Sequence, residues 1–138
     1  LSNLRQFSRE GAQACYSFIS QGEASPQIVR LMHWPGHAKS LQRQVTAMFG
    51  AIIEGRRSPR EVIPPRQSDY QEVTKALAAR GWTDREMQLF SNANALAQAA
   101  PEVVCKLVQD WFAAQLSVTD EDVQLRLLYE SLKPIVAG

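Results

Sequence analysis

Helix-start and helix-stop signals follow one another along this chain at short intervals, and no other pattern competes with them. The clearest is Trp82-Thr83-Asp84-Arg85-Glu86-Met87. Thr83 is an N-cap residue type, and Glu86 stands where it completes a capping box. Trp82 and Met87 occupy the two positions of a hydrophobic staple. Ser25 followed by Pro26 is a second start, because proline at the first helical position gives up no needed donor. Ser68-x-x-Gln71 reads as a further capping box. Thr119 reads as a cap, with Val118 and Val123 as its staple. Gly22, Gly55 and Gly81 stand where helices stop. Alternating β-branched runs and hairpin dipeptides are absent. The expected fold class is all-α, a compact bundle or short array of six to seven amphipathic helices.

Apolar spacing fills in the helices between these signals. A first helix is expected from about Asn3 to Gln21, carrying Leu4, Phe7, Gly11, Ala14, Cys15 and Phe18 on one side. A short second helix presents Ile28, Leu31 and Met32 and is broken at Pro35-Gly36. The third has the widest stripe, Ala38, Leu41, Val45, Met48, Phe49, Ile52 and Ile53, and is expected at the centre of the core. Residues 55–67 differ in kind. They are basic and hold three prolines, which exclude a long helix, although Ser58-Pro59-Arg60-Glu61 has the makings of one capped turn. The chain is therefore expected as one domain, with a three-helix part (1–54), a basic connector (55–67) and a four-helix part (68–138). In the last part Tyr70, Val73 and Leu77 share a side. Phe90, Ala93, Ala97 and Ala100 continue the staple helix. Pro101 opens a helix with Val104, Leu107, Val108, Trp111 and Phe112. In the final helix Leu125, Leu128 and Leu132 line a stripe widened by Val123 and Leu127, and Lys133-Pro134 ends it.

A chain of 138 residues, 45% apolar, suits one domain with its own core. No apolar run nears the roughly 18 residues that span a bilayer, and no basic-then-apolar leader is visible. The expected location is cytoplasmic. The chain opens on Leu1 rather than Met, which predicts a processed product or a piece of a longer protein. Cys15 and Cys105 both fall on apolar stripes. They are expected as two buried thiols rather than a disulfide framework.

Little catalytic chemistry is legible. His33 and His37 have a metal-ligand spacing, but Pro35-Gly36 interrupts the helix that would align them. Asp120, Glu121 and Asp122 point about 100° apart on a helix and do not converge on one ion; the helix dipole accounts for them. No nucleophile elbow or phosphate loop occurs. No cofactor or metal is expected, and no enzymatic activity. Trp82-x-x-x-Glu86 resembles the short tryptophan–glutamate motif of bacterial secreted effectors that activate host small GTPases. The staple and capping box account for the same two positions, so no functional residue is carried over.

Charge is divided along the chain. Residues 1–67 hold nine Lys/Arg and four Asp/Glu, a net +5, and residues 68–138 hold six and ten, a net −4. The expected partner-binding residues are Arg56, Arg57, Arg60 and Arg66, whose guanidinium groups suit carboxylates and phosphates, with Trp34 as an anchor in a turn. The function expected is non-catalytic protein recognition, as an adaptor, scaffold or regulatory domain of a larger protein, with an acidic protein as the partner. The alternative is an accessory nucleic-acid-binding domain using the arginine-rich segment 56–66.

Overall fold

The computed structural model describes residues 1–137, and among them every regular element is a helix. In chain order these are α1 (Ser2–Arg9), α2 (Ala12–Gln21), a 3-10 turn (Gly22–Ala24), α3 (Pro26–Leu31), α4 (Pro35–Arg57), α5 (Gln67–Ala78), α6 (Asp84–Ser91), α7 (Ala93–Ala97), α8 (Pro101–Leu116) and α9 (Glu121–Ala137). The described residues thus form nine α-helices, against an expected six or seven. Two breaks account for the surplus. The expected first helix divides at Gly11, whose φ of 125° is open to glycine and strained for other residues. The alanine-rich stretch divides at Asn92, whose side chain accepts from the Ala95 N–H (3.1 Å) and starts a new helix.

The chain forms two compact units. The first comprises Leu1–Glu61 with Ala100–Cys105, and the second comprises Val62–Ala99 with Lys106 onward. Helix α8 therefore begins in the first unit and continues in the second.

In the first unit Leu4, Phe7, Ala14, Cys15, Ile28 and Leu41 are buried, together with Val104 and Cys105 from the start of α8. The Phe7 ring lies 4.9 Å from that of Phe18 and 5.8 Å from that of His37. Ser25 caps α3 as its sequence predicts, accepting from the Ile28 N–H. A buried polar cluster joins α1 to α4: Asn3 donates to the Gln44 side chain and accepts from the Ser40 hydroxyl. Cys15 and Cys105 are joined by a disulfide, with Cα atoms 5.9 Å apart. This corrects the expectation of two free thiols. Their burial was legible, but 90 residues separate them, and only the packing of α2 beside the start of α8 brings them within bonding range.

In the second unit Val73, Leu77, Trp82, Leu107, Ala114 and Leu127 form the buried centre, with Met87, Phe90, Trp111, Val118 and Val123 packed against it. The expected box is present around Thr83, and of the two staple residues Trp82 is buried in this centre and Met87 packs against the same cluster. The Thr83 backbone N–H donates to Glu86 Oε2 (2.8 Å) and its hydroxyl accepts from the Arg85 N–H (3.3 Å). The hydroxyl also bonds the Glu86 carboxylate, and these contacts hold that carboxyl below its ordinary range, the side-chain bond contributing most. Gly81 closes the preceding helix with φ 86°, and the Trp82 N–H reaches back to the Leu77 carbonyl at 3.1 Å.

Two other starts move by a residue or more. Helix α5 begins at Gln67, so Ser68 lies inside it. The reciprocal bond comes from Asp69, which accepts from the Arg66 N–H at 3.0 Å, rather than from Gln71. The cap of α9 is Asp120, one residue after Thr119. Its Oδ1 accepts from the Asp122 and Val123 N–H groups (3.0 and 3.1 Å). An aspartate carboxylate is the stronger acceptor, and it wins over a neighbouring threonine hydroxyl. Helix α9 also continues past Lys133-Pro134. It turns Leu127 inward, while Leu125 and Leu132 face solvent.

Candidate interaction surface

Pro35 does not break a helix here; it opens α4. Trp34 stands before it in extended conformation as N-cap, and its carbonyl receives the Ala38 N–H at 3.2 Å. Gly55 does not end the helix either. It runs to Arg57, where the Ser58 N–H closes on the Glu54 carbonyl (2.8 Å). Only the first half of α4 is packed. His37, Ser40 and Leu41 are buried, and Gln44 is half-buried in the polar cluster with Asn3.

From Val45 onward every residue of α4 is exposed. Val45, Met48, Phe49, Ile52 and Ile53 recur at helical spacing and so share one side. Phe49, expected at the centre of the core, is 61% exposed. The stripe is real, and its assignment to the core is overturned. Periodicity reports that a helix is amphipathic. It does not report whether the surface that covers the apolar side belongs to the same chain. A contiguous exposed patch of large apolar side chains is uncommon on a folded domain.

The arginines continue this surface. Arg56 and Arg57 form the last turn of α4, where cations favour the helix dipole. Arg60 lies in the irregular stretch that follows, which forms no capped turn. All three are exposed, belong to the first unit and make no ion pair among the described residues. Arg66 is also exposed but belongs to the second unit, where its backbone starts α5. Trp34 is 58% exposed, with its ring edge-on to His37 at 5.9 Å.

His33 is exposed in a turn, whereas His37 is buried with Nε2 3.4 Å from Glu10 Oε1, so the two histidines occupy different surroundings. Trp82 is buried and its indole N–H donates to Asp110 Oδ2 at 3.0 Å; Glu86 serves the α6 cap. Trp82 and Glu86 thus have separate structural roles, one in the buried centre and one at a helix start. Sequence reasoning missed the ion pair of Asp69 with Arg126. Arg126 Nε and Nη2 donate to the two carboxylate oxygens at 2.8 and 3.0 Å, and both side chains are nearly buried. That fork and the Arg66 N–H hold the Asp69 carboxyl down to about 2, from an ordinary 3.8. The one available signal was an aspartate at the third position of a helix. No protein-family model, curated protein or solved structure matches this chain.

Proposed function

We propose that this chain is a non-catalytic protein-interaction domain, an adaptor, scaffold or regulatory element of a larger protein. The observation that carries the reading is the exposed apolar side of α4, which leads directly into Arg56, Arg57 and Arg60. An apolar centre with a polar, charged rim is the usual anatomy of a protein-binding patch. The arginines favour an acidic partner. Trp34, exposed at the other end of the same helix, is a further contact.

The test is affinity capture with the immobilised chain and with a Phe49→Glu/Ile52→Glu variant. Both positions are exposed, so circular dichroism and the thermal transition should be unchanged. Partners held by the native chain should be lost from the variant. An identical captured set from both would overturn the reading.

The exposed arginines also support a second reading, nucleic-acid binding. It requires duplex or single-stranded oligonucleotides to bind with a steep salt dependence, and Arg56, Arg57 and Arg60 to contribute to that slope. The disulfide bears on compartment. Disulfides persist where conditions are oxidising and are rare where glutathione keeps thiols reduced. Cys15–Cys105 therefore supports an oxidising compartment for the folded domain rather than the expected cytoplasm.

A further inference from the structure

Two helices of this chain present an exposed apolar stripe, and they carry opposite charge. On α4 the stripe runs through Val45, Met48, Phe49, Ile52 and Ile53 and ends at Arg56. On α9 Leu125, Tyr129 and Leu132 are exposed at i, i+4 and i+7, and the same side begins at Glu121 and Asp122. Both segments, Val45–Arg56 and Glu121–Leu132, have the same number of residues. At about 1.5 Å per residue each spans about 16 Å of helix axis. Laid antiparallel they match along their length. Arg56 meets Glu121 and Asp122, Ile52 and Ile53 meet Leu125, Phe49 meets Tyr129, and Val45 meets Leu132. A parallel arrangement would set Arg56 beside Leu132 and the two acids beside Val45. An antiparallel pairing of Val45–Arg56 with its own copy would set Arg56 beside Val45 with no carboxylate opposite it, because Glu54 is the one acid on that helix.

We propose that the apolar side of α4 is covered by α9 of a second copy of this chain. The proposal rests on the reading of α4 as a protein-binding surface and names its partner. The apolar side chains supply affinity, and the acidic start of α9 against the basic end of α4 fixes direction and register. The pairing is between unlike surfaces, and each copy brings one α4 and one α9, so every copy can both give and receive the contact. The division of charge between the halves of the chain, +5 and −4, favours this cross-copy contact over any pairing of like halves.

The experiment is sedimentation velocity on the purified chain and two variants over about 1 µM to about 1 mM. Phe49→Glu spoils α4 and Leu125→Glu spoils α9; each replaces an exposed side chain, and circular dichroism checks the fold. The native chain should associate with rising protein concentration. Each variant alone should need about tenfold more protein or more to associate. An equimolar mixture of the two should regain association, because the intact α4 of one fits the intact α9 of the other. Arg56→Glu should weaken association, and adding Glu121→Arg should restore it. A native chain that stays monomeric throughout overturns the proposal. So does a Leu125→Glu variant that associates like the native chain, which would assign α4 to a second α4. If the chain is monomeric yet loses captured partners on Phe49→Glu/Ile52→Glu substitution, self-association falls while the protein-binding reading of α4 stands.

Discussion

Among single residues, Asp69 and Thr83 show how local chemistry fixes the second unit. Asp69 serves two elements at once. It accepts the Arg66 N–H at the start of α5 and a forked pair of bonds from Arg126 on α9. Its folded-state value near 2 lies below the ordinary 3.8, so the folded state favours the ionised carboxylate. The contribution is therefore fully present above about pH 4 and is lost as pH falls toward 2. In urea titrations at a series of pH values, Asp69→Asn should flatten the acid limb of the stability profile. An unchanged acid limb would show that the carboxylate does not matter. Thr83→Ala should cost about 0.5–2 kcal/mol, read as a lower urea midpoint at constant slope. The Thr83 cap was legible because the whole signal is local, six consecutive residues. The Arg126 partner of Asp69 was not, because the two residues are 57 apart and no local pattern links them.

Where the elements are concerned, helix existence was legible and helix partnership was not. Sequence signals located the starts of α3 and α6 and the end of α5, each from a cap or glycine whose bonds close within a few residues. They failed where two caps compete, as at Thr119 and Asp120, and where a glycine or asparagine divides a continuous apolar pattern, as at Gly11 and Asn92. The largest error concerned α4. Its stripe has the right period for a core helix, yet the side chains from Val45 to Ile53 meet solvent. The candidate surface was therefore half-read: its arginines were singled out, while its apolar side was assigned to the interior. Substitution discriminates the two assignments directly. Phe49→Ala should change stability by no more than about 0.5 kcal/mol, as is usual for exposed positions. Phe7→Ala, at a fully buried ring, should cost about 3–5 kcal/mol. Equal losses at both sites in denaturant titrations would return α4 to the core.

At the scale of the whole molecule, the first unit is closed by a covalent link that no composition argument foresaw. Cys15 and Cys105 lie 90 residues apart, so the bond closes a long loop of the unfolded chain. In the chain-entropy picture a loop of that length is worth about 4–5 kcal/mol, and removal of a native disulfide typically costs about 2–5 kcal/mol. The double variant Cys15→Ser/Cys105→Ser should therefore melt well below the native chain, and a reducing agent should lower the native midpoint to a similar extent. A native midpoint no higher than that of the double variant would mean the two sulfurs are not bonded in solution. The same bond holds the start of α8 in the first unit, while the rest of that helix contributes Leu107 and Ala114 to the second unit's centre.

The outer half of α4 has a thermodynamic consequence of its own. From Val45 to Arg57 no side chain is buried, and Gly50 and Gly55 each weaken the helix by about 1 kcal/mol relative to alanine. A helical stretch that short holds poorly in water without tertiary contacts. Its backbone amides should exchange with deuterium far faster than those near Leu41, although both lie on one continuous helix. Whatever covers the apolar side must therefore also supply the ordering of the last three turns. That raises the dissociation constant for a given buried area and makes the contact easy to reverse. Slowed exchange spreading from Val45 toward Arg57 as a partner is titrated would report the coupling amide by amide.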